Sequence, residues 1–442
     1  MTLGDVRVRQ ARLIVVVAAV AACSAILWLS RSYTFYFDEW SFILTAPDWT
    51  WLTYLEPHNE HPSMLLRIIY AGLLDSVGLR SYLPYMLVLL ALHIANVMLL
   101  FEVVRRRAGE LIVIAAAVVL LVLGMGWEDI LWAFQMAWVA SCALGLIAIL
   151  ALQPQSTPAR MAVAAGALSA SLMFSGIGLI FAIVAAVLLF LEPGRRKDLV
   201  WLMPTGIALA AWYVAFGRMG THPNPQPTVA NVFLVPQYVL WGLSQSVAGL
   251  IGESGWIGAP MLGAAAVALA LAWRRGRPDA VAVSLAVGLI AFYAVTGLTR
   301  AQLGFAQSGS SRYEYIGAVF WLILLADAAR ALPWRGTWRP AVLACIFLMC
   351  FNSGVLLFSF ATAKVVVMQR QVADMQALAV ERGDPCLRPD GAVDPLVMPF
   401  ETDPALYYRA IDRYGDPVAR IPVRDPADFA RARLNLVSSG CR

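Results

Sequence analysis

Apolar runs recur along this chain at lengths that suit a bilayer, with short polar segments between them. A hydrocarbon core of about 30 Å takes roughly 20 apolar residues as helix. Eleven stretches are read as spans: 12–30, 82–104, 110–125, 133–152, 160–174, 177–191, 199–216, 258–273, 280–297, 314–330 and 340–361. The pair 160–174 and 177–191 is short and joined by 175-SGIG-178, which predicts a tight hairpin. The segment 62-PSMLLRIIYAGLLDSVGL-79 is amphipathic but interrupted by Arg67 and Asp75. It reads as a helix lying along an interface, with Trp49, Trp51 and Tyr54 as anchors upstream. Near the end, 405-ALYYRAIDRYG-415 predicts an amphipathic helix stopped by Gly415.

Composition narrows the class. Of 442 residues, 60% are hydrophobic and only 14% charged, and the mean hydropathy is +0.70. A soluble fold cannot hide that much apolar surface, so the fold class is an all-α polytopic membrane protein. The expected organisation is a transmembrane domain over 1–361, with a first outer loop at 31–81, and a small module over 362–442. The first run lacks a small-residue cleavage site and reads as a retained signal anchor. No internal repeat of the kind found in many transporters is evident.

Charge adds the topology. The net charge of +5 comes from short loops and does not indicate nucleic acid. Arg7, Arg9 and Arg12 precede the first span, and 105-RRR-107, Arg160, 195-RRK-197, 274-RRGR-277 and the Arg330–Arg339 stretch fall on the same side. The positive-inside rule makes that side cytoplasmic. The amino terminus is then inside and the carboxyl terminus outside. Long loops at 31–81 and 217–257, a shorter one at 298–315 and the tail lie outside. The near absence of Lys reads as the codon bias of a GC-rich bacterium, and the expected location is a bacterial plasma membrane.

The candidate chemistry sits in those outer segments. Asp38 and Glu39 form an acid pair within 33-YTFYFDEWSFI-43, followed by Trp40. A carboxylate at a membrane boundary is costly to desolvate, and its raised pKa suits general-base work. Charged residues also flank helix ends without further purpose. His58 and His61 lie in 56-EPHNEHPS-63, open to hydrogen bonding, metal binding or plain loop structure. A second acid pair, Glu128–Asp129, stands beside Trp127 and ahead of Gln135 in 124-GMGWEDILWAFQMAW-138. It reads equally as helix capping or as a second carboxylate site. Arg300, and Arg312 with Tyr313 in 308-SGSSRYEYIG-317, are positive residues on the outer side. A phosphate would account for them, as would a loop ion pair. In 222-HPNPQP-227 the chain reads as a stiff spacer. His93 and Asn96 suit interhelical hydrogen bonds. Cys386 and Cys441 are the only cysteines outside predicted spans and are candidates for a disulfide closing about 55 residues. No Cys/His zinc spacing appears.

These features together resemble the integral-membrane glycosyltransferases of the GT-C fold. The resemblance rests on 38-DEW-40 after a first span, 57-PHNEHPS-63 with an interfacial helix after it, the basic stop 105-RRR-107 and 126-GWEDILWAFQ-135, which look like actinobacterial members. It covers about the first 150 residues. It implies transfer of a sugar from a polyprenyl-phosphate carrier to a glycan, glycolipid or protein acceptor of the cell envelope, with inversion. It further implies Asp38 as general base, with Glu39, Glu128 and Asp129 orienting the acceptor or holding a divalent ion such as Mg or Mn. Arg300 or Arg312 would meet the leaving phosphate, and Trp40 and Trp127 would stack on sugar rings. The competing hypothesis is a non-enzymatic transporter or flippase of an envelope lipid or glycan, which would need a polar path through the bundle.

Overall fold

The structure, a computed structural model, describes residues 3–153, 157–219, 227–276, 278–330, 338–388, 393–394, 398, 403–419, 421 and 425–438. It is an all-α protein. Its helices in chain order are α1 (Leu3–Leu29), α2 (Asp38–Thr45), α3 (Met64–Ser76), α4 (Leu83–Arg105), α5 (Glu110–Leu121), α6 (Trp127–Leu131) and α7 (Met136–Ala151). They continue as α8 (Pro158–Phe174), α9 (Ile177–Leu191), α10 (Met203–Ala215), α11 (Asn231–Gly249), α12 (Gly258–Arg275) and α13 (Ala280–Arg300). The last are α14 (Ser311–Ala329), α15 (Trp338–Val380), α16 (Pro404–Tyr414) and α17 (Pro426–Leu436). The strands β1 (Pro57–His58) and β2 (His61–Pro62) form one small hairpin.

Among the described residues, seven helical segments are long and apolar enough to cross a membrane, or up to eight if the bent pair Glu110–Leu121 and Gly124–Leu131 counts as one span. All eleven windows read from the sequence fall on helices. Four of them differ from a plain span. Those at 160–174 and 177–191 are short apolar helices, and the 110–125 window belongs to the pair bent by 42°. The fourth, α14, carries Arg312, Glu314 and Asp327 within 19 residues and is buried along most of its length.

The chain packs as two units. The first comprises Met1–Ser24, Glu56–Ser63 and Leu89–Phe358; the second comprises Ala25–Leu55, Met64–Val88 and Ser359–Arg442. The sequence reading divides the chain near residue 361, in chain order. Packing instead groups the first loop on either side of Glu56–Ser63 with the C-terminal residues, a long-range pairing that local composition does not carry, and leaves Glu56–Ser63 in the first unit.

Within the first unit, close helix contact depends on missing side chains. A Cβ at Gly145 on α7 would lie 2.1 Å from the Phe181 ring of α9, and one at Gly242 on α11 would lie 2.2 Å from Tyr293 of α13. The 217–257 segment, read as an outer loop, contains the 19-residue helix α11. Its pattern is inverted: Ser244, Gln245 and Ser246 are buried, whereas Val232, Phe233 and Leu240 are exposed. The buried polar groups are paired. Gln245 accepts the Gly255 N–H at 2.6 Å and donates to the Gly255 carbonyl at 3.0 Å, and Trp321 Nε1 donates to the Ser246 hydroxyl at 3.0 Å. Polar side chains therefore lower the hydropathy of a helix that is packed rather than looped. The 222-HPNPQP-227 stretch lies outside the described residues except Pro227.

Helix α15 runs 43 residues without a break, about 65 Å of helix, and its residues from Ser359 onward belong to the second unit. The sequence reading ends its span at 361, yet no Gly or Pro interrupts 355–380, so the helix continues. Its far end binds the tail through ions: Arg431 meets Asp374 and Asp394, each at 2.9 Å, and Arg370 meets Asp394 at 2.5 Å. Helix α16 starts on Asp403, which accepts the Ala405 N–H at 2.8 Å, and stops at Gly415 with φ +93°. Helix α3 turns Leu66, Arg67, Tyr70 and Leu74 inward. Arg67, a polar interruption in the sequence pattern, is thus part of the packed face. It donates to the Thr53 carbonyl and lies 5.1 Å over the Phe42 ring. Cys386 is disulfide-bonded; Cys441 lies outside the described residues.

Candidate functional site

The second unit holds Asp38, Glu39 and Trp40. Helix α2 begins at Asp38, directly after Phe37, whose φ of +51° is rare for a bulky residue. That turn reverses the chain, so the two acids occupy the first helical turn, where partial positive charge favours carboxylates. They then diverge. Asp38 is half-buried, while Glu39 is fully buried. Glu39 Oε1 accepts from the Tyr70 hydroxyl at 2.8 Å and the Tyr82 hydroxyl at 3.1 Å, and Oε2 accepts the Tyr36 N–H at 2.9 Å. Burial pushes its carboxyl up to about 7, against the opposing pull of those hydrogen bonds and of Lys364. With both oxygens occupied, Glu39 ties α2 to α3 and to the start of α4. Trp40 is fully buried between Phe35, at 6.2 Å, and Tyr407, at 5.6 Å. It is core, and no face remains for the sugar stacking that the resemblance implies.

The first unit holds the other candidates. The β1–β2 hairpin pairs His58 with His61 across a two-residue loop. Asn59 at φ +53° makes that loop possible, since Asn tolerates the left-handed region. Regular helix over the two histidines is thereby excluded. His58 packs edge-on against Phe134 at 5.3 Å, and His61 against Trp138 at 6.1 Å. Glu60 forms a 2.6 Å ion pair with Arg300 at the end of α13. Gly176 makes room for His61, because a Cβ there would come 3.0 Å from His61 Nδ1.

Glu60, His61, Trp138, Gly176 and Arg300 line a cavity of about 440 Å³. Its polar end is formed by Glu60, His61, Thr296, Thr299 and Arg300. The remaining wall is apolar and aromatic, from Leu172, Ile177 and Ile180, from Leu209 and Trp212 on α10, and from Trp138 and Tyr313. Trp138 and Tyr313 stack at 5.6 Å. Burial holds His61 down to about 4; Glu60 opposes this, and Arg300 and Arg312 reinforce it. The imidazole is therefore neutral at pH 7 and offers one donor and one acceptor. The chemistry of such a site is recognition of an amphiphile: a compact polar head at one end and hydrocarbon along the rest.

The second acid pair behaves differently. Glu128 Oε2 accepts the Arg312 N–H at 3.3 Å, and the Ser311 hydroxyl accepts the Glu128 N–H at 3.0 Å. Glu128 thus caps the start of α14, a helix remote in sequence. Asp129 and Gln135 are buried, and Trp127 is half-buried. Among the described residues, no group of three or more His, Cys, Asp and Glu is placed to hold a metal ion. A divalent ion held by Glu39, Glu128 and Asp129 does not fit, since Glu39 is enclosed by tyrosines and Glu128 is engaged as a cap.

The structure thus brings His61, Arg300 and Tyr313 to one cavity and sets Glu128 and Arg312 together at the α14 start. Sequence reasoning missed Glu60, Trp138, Thr296 and Thr299. Glu60 had a readable signal, an acid between two histidines in a chain where Arg300 lacked a partner. No family model matches the chain, no curated protein matches it in sequence, and no solved structure matches it.

Proposed function

We propose that this chain is a membrane glycosyltransferase that moves a sugar from a polyprenyl-phosphate carrier to a cell-envelope acceptor on the outer membrane face. The observation that carries the reading is the cavity with a polar end at His61 and Arg300 and a long apolar wall. A phosphate-linked lipid has that distribution of polarity. Its phosphate would compete with Glu60 for the Arg300 guanidinium, whose fork of donors suits a phosphate. Thr296, Thr299 and neutral His61 supply further hydrogen bonds for a polar head.

The transfer step itself rests on the resemblance. Asp38 would take the proton of an acceptor hydroxyl as its oxygen forms a bond to the anomeric carbon. The bond from that carbon to the phosphate oxygen would break, and polyprenyl phosphate would leave with the electron pair. Glu39, its oxygens held by Tyr70, Tyr82 and Tyr36, serves to fix the α2 turn on which Asp38 stands.

The test supplies radiolabelled polyprenyl-phosphate sugars to membranes carrying wild type, Asp38→Asn or Arg300→Gln. Transfer by wild type and a loss of about a hundredfold or more in Asp38→Asn support the reading. Equal transfer by wild type and Asp38→Asn removes Asp38 from the chemistry. Absence of transfer with lipid movement across the bilayer favours a flippase.

A further inference from the structure

A second cavity, of about 180 Å³, lies wholly within the second unit, where the end of α1 and the start of α4 adjoin. Arg31 and Arg80 line it together with hydroxyl-bearing Ser32, Thr34, Ser81 and Tyr82, and among the described residues no carboxylate lines it. Five other arginines of this unit face an aspartate: Arg370 and Arg431 with Asp394, Arg382 with Asp412, Arg409 with Asp48 and Arg413 with Asp75. Arg31 and Arg80 have no ion pair among the described residues. Two like charges sharing a cavity repel, and a bound anion would relieve that repulsion.

The Arg31 guanidinium is oriented by its neighbour Trp28. One Arg31 N–H donates to the Trp28 carbonyl at 2.6 Å, and its guanidinium lies 4.2 Å over the Trp28 ring. Its other donors remain for a ligand. The Arg80 side chain lies along Gly415, where a Cβ would come 3.1 Å from Cγ and Nε. Gly415 therefore serves two ends: its φ of +93° stops α16, and its missing side chain gives Arg80 its place.

Position indicates the depth. The cavity joins the ends of two apolar segments, Arg7–Ser32 and Leu83–Arg105, both long enough to cross a membrane. Trp28, 61% exposed, stands one turn along α1 from Arg31. An exposed Trp beneath an Arg at a helix end is the arrangement of a side-chain pair at headgroup level.

We propose that Arg31 and Arg80 form a phosphate-binding site, filled by the headgroup of an anionic lipid or by phosphate from solution. Planar guanidiniums can each give two donors to a tetrahedral oxyanion, and the hydroxyls of Ser32, Thr34 and Ser81 are at hand for its remaining oxygens.

The test uses the full chain and two probes. In one arm, inorganic phosphate is titrated calorimetrically into protein held in phosphatidylcholine nanodiscs at fixed ionic strength. In the other, native mass spectrometry counts the lipid retained from phosphatidylglycerol–phosphatidylcholine mixtures. Wild type is compared with Arg31→Gln, Arg80→Gln, the double variant and Arg382→Gln, which removes a charge elsewhere in the unit. Each cavity substitution is expected to weaken binding about tenfold, with Arg382→Gln unchanged. Loss in the lipid arm alone assigns the headgroup, and loss in the phosphate arm alone assigns soluble phosphate. Should the double variant not fold, either single one decides. Wild-type binding of both probes by the single variants, or no binding by wild type in either arm, overturns the proposal.

Discussion

The Tyr70 hydroxyl donates to Glu39 Oε1 at 2.8 Å, across 31 residues of chain and inside a fully buried pocket. Helix α2 is held to α3 by this contact, so its protonation state matters to stability. Burial raises the Glu39 carboxyl to about 7. A raised acid binds its proton more tightly in the folded state than in the unfolded one, where its value is near 4.5. Stability is then fully present below about 4.5 and falls as pH rises through about 7, opposite to an ion-paired carboxylate. The loss is roughly 2–4 kcal/mol across that window. Thermal unfolding of wild type between pH 4.5 and 8 should show the decline, and Glu39→Gln should abolish it. An equal slope in both proteins would place the titrating group elsewhere.

Two glycines predict opposite outcomes for adding bulk. Gly145 is closed in by the Phe181 ring at 2.1 Å, whereas nothing lies within 4 Å of a Cβ at Gly206. Gly145→Ala forces α7 and α9 apart and should cost about 1–3 kcal/mol. Gly206→Leu points into the 440 Å³ cavity and should fold at least as well as wild type, because glycine inside a helix is unfavourable. It should also lower capture of a polyprenyl-phosphate probe by about tenfold or more, the scale of a lost apolar contact or two. Melting temperatures and photo-crosslinking yields for the two variants check both halves.

Much of this fold is legible in hydropathy, because lipid-facing helices are built from runs that no other environment tolerates. Gly415 marks a helix end for a reason that is local, its φ. The failures concern residues whose environment is set at long range. Helix α11 hides polar residues and exposes apolar ones, which defeats any reading that equates polarity with loops. Trp40 reads as a ring at a surface, and its burial depends on Tyr407, 367 positions away by number. Glu60 and Arg300 stand 240 residues apart, and only the fold makes them a pair. Among the site candidates, His61, Arg300 and Tyr313 were recoverable from residue type and position, while the cavity wall from α9 and α10 was indistinguishable from ordinary apolar helix.

The Glu60–Arg300 pair predicts an asymmetry between its members. Side-chain exposures of 23% and 11% make it a half-buried pair at the polar end of the cavity. Removing Glu60 leaves Arg300 without its countercharge and should strengthen binding of a phosphate-headed lipid. Removing Arg300 takes away the attraction and leaves a carboxylate facing the ligand. Glu60→Gln is therefore expected to raise affinity for polyprenyl phosphate by a few-fold, and Arg300→Gln to lower it by about tenfold or more. Parallel losses in both variants would mean that the pair only holds the hairpin in place.

His61 provides the last discriminating measurement. Its imidazole is held down to about 4 by burial, with Arg300 and Arg312 adding to the effect. A histidine with a lowered value is stabilising when neutral. That contribution is fully present above about 6.5 and is lost as pH falls towards 4. The charge state of His61 is then constant from pH 6 to 8, so ligand capture should not vary across that range through this residue. Glu60→Gln removes the one group that favours the imidazolium, and should push His61 lower still. Direct titration of ring protons in histidine-labelled protein, with His61→Gln to assign the signal, checks this. A midpoint near 6.5 would show that His61 is solvated and outside the cavity's electrostatic field.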